Sequence, residues 1–222
     1  MRQVEKHLIK KSHPYYHLLK EFCVKSRKLY NHANYLVRQR FIAEDYWIRY
    51  SELDKALKAD VQYPDYKNMP TAQSAQQILR LLDKNWKSFF KAIKDWKQHP
   101  SKYTGRPKLP RYKHNTQVLM LTNQECKLKN NKIYFPKCFN GFTILPKFVE
   151  YDYSKFNQVR FIPKGNHIIA EIIYEIADVE SLPNNQKYMS IDLGVNNLAT
   201  CVSNVKSPEI INGKRSEERR VG

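Results

Sequence analysis

The stretch from Ala72 to about Lys97 leaves the fewest options open. At about 100° per residue, Ala75, Ile78, Leu79, Leu82, Trp86, Phe89, Phe90, Ile93 and Trp96 fall on one side of a helix. An apolar stripe of that length has to be buried against other elements, so the fold must be built around this helix. The opposite side carries Arg80, Lys84, Lys87, Lys91 and Lys94. One cation per turn places positive charge every 5–6 Å or so along the axis, a spacing suited to following a phosphate backbone. A solvated outer face is the plain alternative, but the stripe lacks the acidic residues that normally intersperse such a face.

The positive charge continues beyond the helix. Residues 84–113 hold ten Lys and Arg and one acid, Asp95. The segment Pro100–Lys113 combines prolines, aromatics and cations, and proline favours an extended backbone. Lys102, Arg106, Lys108, Arg111 and Lys113 can then track a polyanion while Tyr103 and Tyr112 stack on bases. The whole chain carries 39 Lys and Arg against 21 Asp and Glu, a formal net charge of +18. That excess points to nucleic acid first and an anionic membrane second. The aromatic linker and the lack of an amphipathic anchor argue against the membrane. No apolar run reaches the roughly 18 residues of a membrane span, and the first residues do not read as a signal sequence. With 41% hydrophobic residues, a packed core is expected. Cys23, Cys126, Cys138 and Cys201 are scattered and read as reduced structural thiols.

The rest of the pattern predicts an α+β fold. Residues 2–10 read as an isolated strand. Pro14 suits the first turn of a helix whose apolar positions run from Leu18 to Phe41. Ser51-Glu-Leu-Asp54 resembles a capping box for a short second helix ending near Ala59, and Pro64 and Pro70 bracket a loop. From Thr116 the period changes to two. Strands are expected at Gln117–Leu121, Lys132–Phe135, Phe142–Leu145, Gln158–Ile162 and His167–Ile176, with turns at Asn130-Asn131, Asn140-Gly141 and Pro163–Asn166. Short, evenly spaced strands suggest a small antiparallel barrel or sandwich. A polar linker at 178–186 leads into a further unit. No nucleophilic serine elbow, phosphate-binding glycine loop or His-Glu-x-x-His pattern supports acyl transfer, nucleotide hydrolysis or metalloprotease chemistry.

That further unit opens with Met189-Ser-Ile-Asp-Leu-Gly-Val-Asn-Asn-Leu-Ala-Thr200. Asp192 interrupts a short apolar run, and aspartate is a poor strand former that is costly to bury unpaired. One reading is a strand delivering a carboxylate ligand to a divalent metal, with Gly194 allowing close approach. The other is an ordinary hairpin with a solvated Asp at a strand end.

The stretch Tyr188–Thr200 resembles the first RuvC motif of TnpB proteins, the OrfB-type transposases of insertion sequences. Ser26-Arg-Lys-Leu-Tyr-Asn-His-Ala33 with Arg38-Gln-Arg-Phe41, Gln77–Arg80 through Ser88–Phe90, Gly105–Lys113 and Gln158–Glu175 agree with the family pattern in order. The resemblance extends to about Lys214. It implies an RNA-guided DNA endonuclease that hydrolyses phosphodiesters, with guide RNA and target DNA as partners. Base pairing would read the sequence while the protein holds shape and backbone. It implies a helical recognition unit at 13–103 inserted into a wedge-like antiparallel β-barrel formed by 1–12 and 104–180. The start of an RNase H-like RuvC domain would occupy 187–214. Asp192 would be the catalytic, metal-binding first acid of a two-Mg²⁺ site. The later acids and a Cys-rich zinc element of the family have no counterpart here, and Glu209 matches only the segment following the first motif. The chain therefore reads as an N-terminal portion, expected to bind nucleic acid without cutting, with residues 215–222 outside the family pattern. A prokaryotic cytoplasmic setting, associated with the nucleoid when bound to DNA, would follow. The alternative is a non-enzymatic RNA- or DNA-binding module in which Asp192 is dispensable.

Overall fold

The computed structural model describes residues 2–115, 117–147, 153–176 and 184–213. Of the polar linker expected at 178–186, residues 178–183 lie outside the described residues, as does the tail at 215–222. The chain divides into two compact units, Met1–Ala177 and Asp178–Gly222.

In the first unit, β1 (Arg2–Lys10) is followed by three helices, α1 (Tyr16–Glu44), α2 (Tyr50–Ala59) and α3 (Ala72–Gln98). Strands β2 (Leu119–Thr122), β3 (Lys127–Lys129), β4 (Lys132–Tyr134), β5 (Thr143–Ile144), β6 (Tyr153–Lys164) and β7 (His167–Ile176) come after them. The isolated N-terminal strand finds its partner at the far end of the unit. β1 pairs antiparallel with β7, from Arg2 opposite Glu175 to Lys10 opposite His167. β6 and β7 form a hairpin whose register closes with Lys164 opposite His167, leaving the two-residue loop Gly165-Asn166. Gly165 has φ +52°, a conformation most side chains resist. Asn130 and Asn131, both at positive φ, turn β3 into β4 in the manner of a type I′ hairpin.

The fold is mixed helix and antiparallel sheet, but no barrel closes among the described residues. One sheet runs β1-β7-β6-β2 and a second runs β3-β4-β5. Strands of two or three residues make up the second sheet, too short to carry the hydrogen-bond ladder around from one long edge to the other.

The helical segment expected at 13–103 and the strands expected at 104–180 share one core. Leu19, Phe22, Leu29 and Val37 of α1 are buried with Ile78, Leu79, Leu82 and Trp86 of α3. Leu119, Val159, Phe161, Ile168, Ala170 and Ile172 meet them from the long sheet. The α3 stripe is buried as far as Trp86, and Phe89 and Phe90 pack partly buried against the same core. The N-terminus of α3 is capped by Thr71, whose side chain accepts from Ser74 N at 3.0 Å while the Ser74 hydroxyl receives Thr71 N–H at 3.3 Å. Thr71 also donates to Glu125, and Gln73 donates to Gln124 at 2.8 Å, so the turn after β2 fixes where α3 begins. The capping box expected at Ser51 and Asp54 does not form. Helix α2 starts two residues earlier than that box would place it, with Arg49 as an uncapped N-cap. Asp54 instead accepts from Lys58 at 2.6 Å and from the Tyr66 hydroxyl at 3.0 Å.

The second unit is a three-stranded antiparallel sheet, β8 (Met189–Asp192), β9 (Ala199–Ser203) and β10 (Glu209–Ile211), with β9 in the middle. Its apolar residues Met189, Ile191, Val202 and Ile210 are exposed. No helix among the described residues is long and apolar enough to cross a membrane.

Candidate nucleic-acid interface

Arg80, Lys84, Lys87, Lys91 and Lys94 all stand exposed on α3, opposite its buried stripe. They are not equivalent. Asp83, one turn before Lys87, holds that ammonium at 2.6 Å. The sequence reading that no acid interrupts the stripe is corrected here: Asp83 lies beside it and neutralises one of its members. The Arg80 guanidinium sits over the Tyr50 ring, 4.7 Å from its centroid, and keeps its charge. Among the described residues, Lys84, Lys91 and Lys94 have no carboxylate within ion-pair distance.

The helix ends by consuming its last acid internally. Asp95 accepts from the Tyr103 hydroxyl at 2.7 Å and pairs with His99 Nδ1 at 3.1 Å. These hydrogen bonds, Tyr103 first, hold its carboxyl below the ordinary value of 3.8. No lysine of the segment is spent on it. Tyr103 is thereby tied by its hydroxyl, with its ring partly buried, and Lys102 stays exposed in the short 3-10 turn Pro100–Lys102.

From Arg106 to Lys113 the backbone has no regular structure, and it is laid along α1 by four side chains to which the sequence reading gave no role, three of them lying in stretches that match the family pattern. Arg27 donates to His114 O at 3.0 Å. Asn31 donates to Lys113 O at 2.8 Å and accepts Lys113 N–H at 2.7 Å. Asn34 and Arg38 both donate to Pro110 O at 3.0 Å. Residues 27, 31, 34 and 38 lie on one side of a helix, so α1 offers a row of donors to a segment with unpaired carbonyls. The spacing is visible in the sequence, beside the apolar Leu29, Ala33 and Val37, but its partners are not. A carbonyl takes only a hydrogen bond, so Arg27 and Arg38 retain their charge.

This clamp also orders the basic residues of the segment. The Arg38 guanidinium lies 5.2 Å from the centroid of Tyr112, and Lys113 Nζ lies 5.3 Å from that of Tyr30. Asn34 is fully buried and satisfied on both ends, since it also accepts from Trp86 Nε1 of α3 at 3.1 Å. The linker, α1 and α3 are thus joined through one amide. Arg106, Lys108 and Arg111 remain exposed.

In the second unit Asp192 ends β8, exposed, opposite Thr200 of β9, which is in turn opposite Ile210 of β10. Glu209 is opposite Cys201, which is opposite Ile191. Because side chains alternate along a strand, Asp192 and Glu209 face opposite sides of the sheet. Among the described residues no group of three or more His, Cys, Asp or Glu could hold a metal ion. A magnesium site needs several oxygens in near-octahedral array, and the donors present around Asp192 do not supply them. A Cβ on Gly194 would meet Asn197 O at 3.2 Å, so the turn after Asp192 is tight at that point.

No family model matches the chain, and no curated protein matches it. Among solved structures, it is similar to a chain of a Cas12f1–sgRNA–target DNA complex, with 11% identity and a TM-score of 0.43 over 99% of this chain and 61% of that one. A chain of a CRISPR-Cas12f ternary complex is similar at 10% identity and a TM-score of 0.46, over 91% of this chain and 49% of the other. The chain thus spans less than two thirds of the length of either.

Proposed function

We propose that this chain binds nucleic acid through the surface formed by α3 and the pinned linker, in the manner of the RNA-holding part of a TnpB-like RNA-guided nuclease. The observation that carries the reading is the state of the cations. Lys84, Lys91, Lys94, Arg106, Lys108 and Arg111 are exposed, while the acids beside them are engaged by Lys87, His99 and Tyr103. Such a surface neutralises phosphates and releases counterions, giving affinity without sequence preference. The partners it suits are a guide RNA and the target DNA paired with it, held by backbone and shape.

The reaction of that family would require Asp192 and further acids around Mg²⁺. Among the described residues of the three strands Asp192 shares its face with no other carboxylate, which supports binding without hydrolysis by these residues and equally suits a non-enzymatic binding module. Asp192 is assigned as a metal ligand by resemblance to the RuvC motif only. Fluorescence anisotropy with a labelled structured RNA, titrated over a salt series, tests the reading. Affinity should fall steeply with salt, and the fall should flatten when Lys84, Lys91 and Lys94 are changed to Gln. Affinity insensitive to salt would sink the proposal.

A further inference from the structure

The clamp leaves a cleft between α1, α3 and the linker, with a volume of about 470 Å³. That lies within the roughly 300–1,000 Å³ of sites that hold one small molecule. Its lining separates into two chemistries. Phe41 of α1 and Phe89 of α3 supply aromatic rings, with centroids 6.4 Å apart and planes at 85°. Arg38, Arg106, Lys108 and Arg111 supply four cations, and no carboxylate lines the cleft.

Both chemistries are held in place. Phe41 is wedged against Trp86 at 5.3 Å and Phe90 at 5.5 Å, so its ring belongs to a packed cluster. Arg38 is fixed by its bond to Pro110 O and by the Tyr112 ring beneath it. The carbonyl and ring orient its guanidinium without cancelling its charge. The Pro110 carbonyl held by Asn34 and Arg38 fixes the backbone next to Arg111, and Arg106 and Lys108 line the same cleft as exposed side chains.

We infer that this cleft receives one unpaired nucleotide of a single-stranded RNA or DNA, its base against Phe41 and Phe89 and its flanking phosphates on Arg38, Arg106, Lys108 and Arg111. Rings accept any base, because every base has a π face. A duplex satisfies the cations equally well but keeps its bases paired and stacked, so it cannot fill the aromatic part. The cleft therefore confers a preference for single strands that the α3 lysines, which see only phosphate, do not. This rests on the nucleic-acid reading above and adds the base to it.

The test uses the full chain and four labelled probes of one length: single-stranded RNA, single-stranded DNA, the DNA duplex, and a DNA backbone carrying abasic sites throughout. Either single strand should bind about tenfold more tightly than the duplex, and the abasic strand should lose a similar factor at unchanged phosphate charge. Phe89→Leu, which keeps an apolar side chain, should remove the difference between normal and abasic strands, with circular dichroism verifying the fold. RNA and DNA binding alike assigns the site to the base and phosphate; preference for one assigns it to that strand. Equal affinity for normal and abasic strands overturns the cleft while leaving the phosphate-binding surface intact. Failure of all four probes to bind overturns both.

Discussion

Asp192 and Glu209 sit one register step apart across the three-stranded sheet and point to opposite faces of it. Asp192 shares its face with Thr200 and Ile210, whereas Glu209 shares the other with Cys201 and Ile191. Two carboxylates so placed cannot converge on one cation, and a two-metal hydrolytic site needs such convergence. Purified protein should leave labelled DNA intact with Mg²⁺ and a complementary guide present. Asp192→Ala and Glu209→Gln should leave RNA affinity within twofold of the parent. Mg²⁺-dependent cleavage that disappears in Asp192→Ala would show that a complete site forms after all.

The lysines of α3 should divide by their partners. Each phosphate contact contributes roughly 0.7 to the slope of log K against log salt for a single strand. Changing Lys84, Lys91 and Lys94 to Gln together should therefore lower the slope by about 2. Lys87→Gln should change it far less, because Asp83 at 2.6 Å already meets that ammonium. Equal effects of Lys87 and Lys91 would mean that the Asp83 pair opens on binding and that all cations of the face act alike.

Asn34 ties the linker to the helices. Replacing it with Ala leaves the Trp86 indole N–H without a partner in a buried place and takes from the Pro110 carbonyl one of its two donors, Arg38 remaining. At about 1–3 kcal/mol for the unsatisfied buried N–H and about 1 kcal/mol for the hydrogen bond lost at Pro110, a loss of about 2–4 kcal/mol is expected, visible as a lower midpoint in urea denaturation. The variant should also weaken RNA binding at temperatures where it is fully folded, since the linker cations lose their fixed placement. Unchanged affinity in folded Asn34→Ala would show that the linker orders itself on the ligand.

Much of this was legible in advance where the signal is local. The α3 stripe and the line of cations opposite it can be read from spacing, and the hairpin at 158–176 from Gly165-Asn166 between alternating strands. Helix α2 was legible as an element, but its start was misread because Asp54 has better donors in Lys58 and Tyr66 than a helix N-terminus. Strand β3, Lys127–Lys129, has one apolar residue between two lysines and no periodicity to detect. The linker clamp was illegible for another reason: its acceptors are backbone carbonyls 72 to 87 residues away, which no residue type announces. The barrel expectation followed from counting strands, which does not reveal that, among the described residues, β3, β4 and β5 form a sheet of their own.

The buried thiols give the unit a stability limit at high pH. Burial pushes Cys23 from 9.0 to about 12, against a smaller opposing hydrogen bond from the Leu119 backbone. Its Sγ donates to Phe161 O at 3.7 Å, so α1 and β6 close over it. Burial raises Cys126 as well. A folded value above the unfolded one means that the unfolded chain loses these protons first. The contribution is fully present below pH 9.0 and declines as pH rises towards 12. Each buried thiol should therefore make stability fall as pH rises above the ordinary thiol value. Lysines and tyrosines titrate there too, so the measurement is a difference. Urea midpoints from pH 8 to 11 should fall less steeply for Cys23→Ala than for the parent, and less steeply again for Cys23→Ala with Cys126→Ala. Native protein at pH 8 should likewise protect both thiols from alkylation while Cys138, which is exposed, reacts. Parallel midpoint curves for parent and double variant, or rapid labelling of Cys23, would show that α1 and β6 separate readily enough to admit solvent.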